Sequence, residues 1–105
     1  QAARWNDAIA RYMKALKADP GLKQVYYKVA RAHTEKGQHA EAISWYRKAT
    51  AIDPAAAMPY LYLGYAFKER GQKNDAITAF RAYLERKPDA EDKKDVEDEI
   101  YDLQH

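Results

Sequence analysis

The sequence of 105 residues contains no cysteine and no long apolar run. The absence of cysteine excludes disulfide bonds, thiol catalysis and cysteine-ligated metal ions, and it favours a reducing compartment. We therefore predict a cytoplasmic location and leave a periplasmic one open. Because no stretch approaches the apolar length that crosses a bilayer, we expect no insertion into a membrane. The chain does not begin with Met, so we expect a fragment or a processed form of a longer protein.

Residues that carry catalytic or metal chemistry are also scarce. There is no glycine-rich phosphate loop, and nothing in the sequence suggests a base that would activate Ser44, the only serine. His33, Glu35 and His39 lie close together, but their spacing is not that of the HExxH zinc motif. We expect Gly37 to end a helix before His39, which separates the two histidines. We predict no catalytic residue, no metal site and no cofactor, and hence no enzyme.

Charge is unevenly distributed along the chain, although the net charge is only +2. Residues 1–88 are basic, whereas residues 89–105 contain two lysines and eight acidic residues. We interpret the acidic end as a solvated helix, with an acidic partner surface as the alternative. A basic body with aromatic residues could bind nucleic acid, but its charges are interleaved and the acidic end would repel phosphate. We predict no nucleic-acid partner and keep this function as the weakest of three hypotheses.

Proline marks an internal repeat. Pro20, Pro54 and Pro88 are spaced by 34 residues, twice. When the sequence is aligned on these prolines, residues of similar type coincide at many other positions, as is typical of repeat proteins. The coinciding residues are Ala8, Ala42 and Ala76; Ile9, Ile43 and Ile77; Tyr12, Tyr46 and Phe80; Gly37 and Gly71; Tyr26 and Tyr60; and Ala32 and Ala66.

This period and pattern resemble the tetratricopeptide repeat, whose unit is a pair of antiparallel helices, A and B. The resemblance extends to about residue 88, and it departs from the family pattern at His33, where an aromatic residue is usual, and at Tyr83, where alanine is expected. It implies an all-α fold, a right-handed α-solenoid of antiparallel helix pairs with about six helices. We predict a single domain fragment with a half repeat that contains helix B only (1–20), two repeats (21–54 and 55–88) and a C-terminal capping helix (89–105).

Glycine and proline set the expected helix boundaries. Gly37 and Gly71 can adopt the left-handed conformation that ends a helix A, and the residue before a proline leaves helical geometry. Small residues such as Gly64 let paired helices approach closely, and large aromatic residues fill the adjacent space. Pro59 is tolerated in the first turn of its helix. The predicted helices are at about 3–18, 22–36, 39–52, 57–70, 73–87 and 90–104.

The last predicted helix has the pattern of a cap. Its apolar residues form one narrow stripe of Val96, Ile100 and Leu103, and the remaining residues are mostly charged. Acidic residues at 89, 91 and 92 are expected in its first turn, where negative charge suits the helix dipole. One face would then cover the last repeat and the other would meet water.

Residues 59–71, PYLYLGYAFKERG, alternate like a strand but fall on one helix in the repeat register. At the helical period, Tyr60, Leu63, Gly64 and Phe67 share the face expected to form the core. The resemblance implies that the opposite face of each helix A lines a concave, peptide-binding groove, which would here be aromatic and basic. The groove residues predicted in this way are Gln24, Tyr27, Lys28, Arg31 and Thr34 in one repeat, and Met58, Leu61, Tyr62, Tyr65 and Lys68 in the next.

One subset of the family binds the C-terminal carboxylate of chaperone peptides with a clamp of Lys and Asn residues. In this chain, Tyr27 and Arg31 stand where the first Lys and Asn of that clamp would stand. The chain also has only two complete A helices, too few to build the full clamp. We therefore do not expect it to bind chaperone tails.

Two main hypotheses for function follow. The first is a non-catalytic protein–protein interaction module, a scaffold or adaptor that binds a peptide or protein partner in its groove. The second is a structural solenoid that forms homo-oligomers through its open N-terminal edge, because Trp5, Ile9 and Tyr12 would normally pack on a helix A that is absent from the sequence.

Overall fold

The computed structural model describes residues 2–105, which form six α-helices and no strand. The helices are α1 (Ala2–Ala18), α2 (Lys23–Glu35), α3 (His39–Ile52), α4 (Met58–Glu69), α5 (Lys73–Arg86) and α6 (Lys93–Gln104). The predicted all-α helical repeat is therefore confirmed, and both ends of each of the six helices agree with the predicted ends to within three residues. Within residues 2–105, no helix combines the length and the apolar character needed to cross a bilayer.

The chain divides into two compact units, Gln1–Pro54 and Ala55–His105, and the division falls at the proline that was predicted to end the first complete repeat. In the first unit, α2 packs against both α1 and α3. In the second unit, α5 packs against both α4 and α6. Each unit therefore contains one complete helix pair and one additional helix, and the predicted division into repeats and cap remains a prediction.

Glycine ends the first helix of each pair, as predicted. Gly37 and Gly71 have φ angles of 75° and 74°, in the left-handed region that favours glycine. The amide of Gln38 donates to the carbonyl of His33 over 2.9 Å, and the amide of Gln72 donates to the carbonyl of Phe67 over the same distance. These bonds satisfy carbonyl groups at the helix ends and turn the chain toward the next helix.

A close approach of α4 and α5 forms the core of the second unit. Gly64 faces the ring of Phe80, and a Cβ atom at position 64 would lie 2.5 Å from the ring carbons Cδ1 and Cε1. Leu63, Gly64 and Phe67 are buried as predicted. Tyr60 differs from the prediction because it is only half-buried, and the guanidinium of Arg86 lies 4.0 Å from its ring centroid. The long Arg86 side chain thus covers a ring that the core does not enclose.

Helix α6 begins at Lys93, three residues later than predicted. Asp89, Glu91 and Asp92 therefore lie in the turns that precede the helix, and Asp95 is the acidic residue of its first turn. The reason is a pair of turns, in which the amide of Ala90 donates to the carbonyl of Lys87 and the amide of Lys93 donates to that of Ala90. The predicted apolar stripe is present, with Val96 and Ile100 buried and Leu103 half-buried.

Candidate functional site

In the first unit, the exposed face of α2 is organised around Tyr27 and Arg31. The guanidinium of Arg31 donates to the hydroxyl group of Tyr27 over 3.3 Å, and its other terminal nitrogen lies 3.8 Å from a carboxylate oxygen of Glu35. Both Tyr27 and Arg31 are half-buried. These contacts fix the two side chains on the helix surface and reduce the entropy that a ligand would have to overcome.

Contacts with α3 hold the side chains of this face of α2 in place. The ring of Tyr27 lies 6.1 Å from that of Tyr46, which is fully buried. The hydroxyl groups of Thr34 and Tyr46 share a hydrogen bond of 3.1 Å, and Thr34 also donates to the carbonyl of Ala30. Thr34 is thus committed to internal hydrogen bonds, whereas Gln24 and Lys28 are exposed on the same helix.

In the second unit, α4 presents a stripe of three large side chains, Met58, Tyr62 and Tyr65, which we call the α4 stripe. Their spacing of four and then three residues places them on one face of the helix. Met58 is 37% exposed and Tyr65 is 36% exposed, and Tyr62 is half-buried. The ring of Tyr65 packs edge-on against Phe80 with centroids 5.1 Å apart. Tyr65 is therefore exposed but held in place, as suits a residue that contacts a partner.

Carboxylates from the acidic end of the chain contribute to the electrostatic environment of Tyr65. Burial raises the pKa of Tyr65, and the carboxylates of Glu99, Asp92 and Asp95 raise it further, whereas Lys68 lowers it. Burial is the largest cause of this pKa shift, and the three carboxylates that add to it place negative charge near the α4 stripe.

Lys68 is paired with Glu99 on α6. Its Nζ atom lies 2.7 Å from Oε2 of Glu99, and this hydrogen bond raises the pKa of Lys68. The prediction of a basic surface therefore needs correction in this unit. The charge of Lys68 is neutralised by Glu99, and Asp92 and Asp95 make the surroundings of the stripe acidic.

A second polar contact joins α5 to the turn before α6. Tyr83 is 2% exposed, and its hydroxyl group donates to Oδ1 of Asp92 over 2.7 Å. Burial and the hydrogen bond to Asp92 raise the pKa of Tyr83 to about 12. The hydroxyl group therefore remains a neutral donor throughout the physiological pH range.

A cleft of about 430 Å³ opens beside this hydrogen bond at the N-terminal end of α4. Met58 and Tyr83 supply its apolar surface, and one basic and three acidic residues complete it. The lining residues are Met58, Tyr83, Lys87, Asp89, Glu91 and Asp92.

Leu61 does not take the position that the sequence predicted for it. It is only 6% exposed, although its place on the helix was expected to face an open groove. The buried surface of α4 is wider than the predicted core face and includes Pro59, Leu61 and Ala66. A leucine has no polar group that requires water, so its burial is favourable, and we leave Leu61 out of the exposed binding surface.

The residues predicted to form a self-association edge lie on α1. Trp5, Ile9 and Tyr12 are all half-buried, and the guanidinium of Arg4 lies 5.2 Å from the centroid of the Trp5 ring. The large apolar residue that is most exposed on α1 is Met13. Self-association through this edge remains a prediction.

The histidines flagged in the sequence do not form a metal cluster with acidic residues within the described part of the chain. A ring nitrogen of His33 shares a hydrogen bond of 2.8 Å with the side-chain oxygen of Gln38. This bond is local, between the end of α2 and the turn that follows, and it gives His33 a structural role.

Family models match most of the region in which the repeat was found. A TPR repeat model matches residues 30–71, and a tetratricopeptide repeat model matches residues 60–90. Together they cover more than half of the chain, which belongs to the tetratricopeptide repeat family. No curated protein sequence matches the chain.

Solved structures with the same fold include three that are similar over most of their length. The Arabidopsis OM64 TPR domain has a TM-score of 0.87 and 26% identity, over 95% of this chain and 83% of that one. The first TPR of Spaghetti (RPAP3), bound to the HSP90 peptide SRMEEVD, has a TM-score of 0.86 and 22% identity, over 97% and 79%. The Yersinia enterocolitica type III secretion chaperone SycD, in complex with a peptide of the translocator YopD, has a TM-score of 0.88 and 14% identity, over 99% and 82%.

Sequence reasoning predicted the apolar packing of α6 but missed the polar contacts that it and the preceding turn make within the second unit. Asp92 and Glu99 were assigned to a solvated cap, yet they form hydrogen bonds with Tyr83 and Lys68. One feature of the sequence could have indicated these hydrogen bonds, because Tyr83 occupies a position where the repeat pattern expects alanine. A second was the position of Glu99 beside Ile100, which places it at the edge of the buried stripe of α6.

Proposed function

We propose that the chain is a non-catalytic protein-interaction module that binds a peptide or protein partner through the exposed faces of α2 and α4. The observation that carries this proposal is Tyr65, an exposed tyrosine whose ring is held edge-on by the buried Phe80. A fixed aromatic side chain offers a large contact area to a ligand with little loss of conformational entropy.

Two observations support the proposal that both α2 and α4 contact a partner. In α2, Tyr27 is held between Arg31 and Tyr46, so each unit presents an aromatic residue with restricted motion. Structures with this fold include complexes with an HSP90 peptide and with a peptide of YopD. By analogy, an extended segment of a partner would contact the exposed face of α2 in the first unit or that of α4 in the second.

The test is selection from a library of random peptides displayed on phage, with the purified chain as the immobilised target. We expect enriched peptides whose affinity is measured by fluorescence anisotropy. The affinity should fall about tenfold or more for Tyr65→Ala, because the contact between the tyrosine ring and the bound peptide is lost. Tyr101→Ala is the matched control, since Tyr101 lies on α6 and is 61% exposed.

Circular dichroism would establish that both variants remain folded. If no peptide is enriched, or if Tyr65→Ala and Tyr101→Ala change the affinity equally, the proposal fails. A second variant, Lys28→Glu, probes α2 through an exposed side chain that the core does not use. It should change the set of enriched peptides without a change in thermal stability.

A further inference from the structure

The α4 stripe is an exposed apolar surface with acidic borders. Met58 and Tyr65 are two of the four large apolar residues that are most exposed within residues 2–105, and both lie on this one helix face. Single exposed apolar side chains are common on protein surfaces, but a helical stripe of them indicates a contact surface.

Acidic residues flank this stripe from the turn before α6 to the middle of that helix. The carboxylates of Asp92, Asp95 and Glu99 are all close enough to Tyr65 to raise its pKa. Asp89 and Glu91 extend the acidic border to the cleft beside Met58. Lys87 also lines this cleft, and Lys68 is paired with Glu99.

Several of these carboxylates are available to a ligand. Within the described residues, no lysine, arginine or histidine lies within 4.0 Å of the carboxylate oxygens of Asp89, Glu91 or Asp95. Asp92 is held by Tyr83 through Oδ1, which leaves Oδ2 to accept a bond from a partner. A carboxylate with a fixed orientation binds a cation at a lower entropic cost than a mobile one.

This arrangement is peculiar to the last repeat of the chain. Tyr83 supplies the hydroxyl group that holds Asp92, and the corresponding residue of the preceding repeat is the buried Ala49, which has no polar side-chain atom. The acidic border thus depends on Tyr83, which stands where the repeat pattern expects alanine, and on the acidic residues that follow it in the chain.

We propose that the α4 stripe binds a peptide segment that carries both apolar and basic side chains. The apolar side chains would pack on Met58 and Tyr65, and lysine or arginine would pair with Asp92 and its acidic neighbours. This inference rests on the proposed function, because it specifies the partner chemistry of the same surface. It reverses the expectation of a basic groove for this unit.

The test uses terminally blocked fluorescent peptides composed of Lys, Leu and Gly, with matched peptides in which Gln or Glu replaces every Lys. We expect the Lys peptide to bind about tenfold more tightly than the Gln peptide, and the Glu peptide to bind most weakly. Added salt should reduce the advantage of the Lys peptide, because the charges lie at the solvent-exposed border.

The double variant Glu91→Gln/Asp95→Asn should reduce the affinity for the Lys peptide about three- to tenfold and leave the Gln peptide unaffected. Its matched control, Glu97→Gln/Asp102→Asn, removes the same charge from exposed positions of α6 that neither line the cleft nor affect Tyr65. The control should bind the Lys peptide as the unmodified chain does.

Different failures have different consequences. If the Lys and Gln peptides bind equally and Tyr65→Ala weakens both, the charge inference is overturned while the proposed function stands. If the phage library yields no peptide at all, both are overturned. If sedimentation shows that the Glu91→Gln/Asp95→Asn variant loses self-association, the surface belongs to a second copy of the chain and the inference is also overturned.

Discussion

The hydroxyl group of Tyr83 on α5 donates to Oδ1 of Asp92, in the turn before α6, over 2.7 Å. This bond joins the buried side of α5 to the turn that leads into α6. The buried side chains of Val96 and Ile100 complete the attachment of α6. The Tyr83–Asp92 bond, the Lys68–Glu99 ion pair and an apolar stripe therefore attach α6 and the turn before it, and the first of these contacts also orients a carboxylate of the candidate site.

Tyr83→Phe removes only the hydroxyl group of this pair. We expect the free energy of unfolding to fall by about 1–2 kcal/mol, because a hydrogen bond to a carboxylate is lost from a buried donor. Urea denaturation monitored by circular dichroism measures the change. Tyr101→Phe is the control, since Tyr101 is exposed and stacks on His105 without a hydrogen bond to the core. Equal stabilities of the two variants would show that the bond contributes nothing.

The raised pKa of Tyr83 predicts a dependence of stability on alkaline pH. Its pKa is about 12 in the folded chain, against 10.0 for an ordinary tyrosine. The folded state thus holds the proton more tightly, and the contribution of Tyr83 to stability is complete below pH 10 and is lost as the pH rises toward 12.

The comparison with Tyr83→Phe isolates this effect from the titration of the other tyrosines and the lysines. The stability difference between the unmodified chain and the variant should shrink between pH 10 and 12, the range set by the pKa shift. Tyrosinate absorbance should show one fewer late-titrating group in the variant. A stability difference that stays constant over this range would contradict the prediction.

The fold was predictable from the sequence because the residues that set the helix boundaries act locally on the backbone. Gly37 and Gly71 are required where the chain turns with positive φ. Pro20, Pro54 and Pro88 each follow the end of a helix, whereas Pro59 lies in the first turn of α4, where proline is tolerated. The close contact of Gly64 with an aromatic residue was likewise predictable, since the repeat register identifies both partners. These features depend on the backbone and on residues at a fixed spacing.

The candidate site was less predictable because it depends on contacts between distant parts of the sequence. The helical period placed Leu61 on an open face. The period alone does not determine how much of the surface of a helix is covered by the elements that pack on it. The charge of the α4 surface depends on Glu99, which is 31 residues away from Lys68. A helix outside the repeat pattern has no register that would align it with α4.

The ion pair of Lys68 and Glu99 should contribute modestly to the stability of the second unit. A double-mutant cycle with Lys68→Ala and Glu99→Ala should give a coupling of about 0.5–1 kcal/mol, since both groups are partly exposed. Lys94 and Asp98 provide the control pair, which is 3.5 Å apart and much more exposed. The two cycles should differ at low salt and converge at high salt, and equal coupling throughout would contradict the prediction.

Gly64→Ala tests the close approach of α4 and α5. Alanine favours a helix over glycine by about 1 kcal/mol, but its Cβ atom would lie 2.5 Å from the ring of Phe80. Overpacking of a core typically costs about 1–3 kcal/mol, so we expect a net loss of stability in thermal and urea unfolding. A stabilised Gly64→Ala variant would show that the two helices separate easily.

A second substitution distinguishes this steric effect from a backbone effect. Phe80→Leu leaves a cavity in the unmodified chain and should be destabilising, but it removes the clash in the Gly64→Ala background and should cost less there. Gly71→Ala is the comparison, because its φ of 74° strains alanine although no atom lies within 4 Å of the new Cβ. Phe80→Leu should therefore add independently to Gly71→Ala. If Phe80→Leu couples equally to Gly64→Ala and to Gly71→Ala, then Phe80 affects the stability of the whole fold and makes no specific contact with position 64.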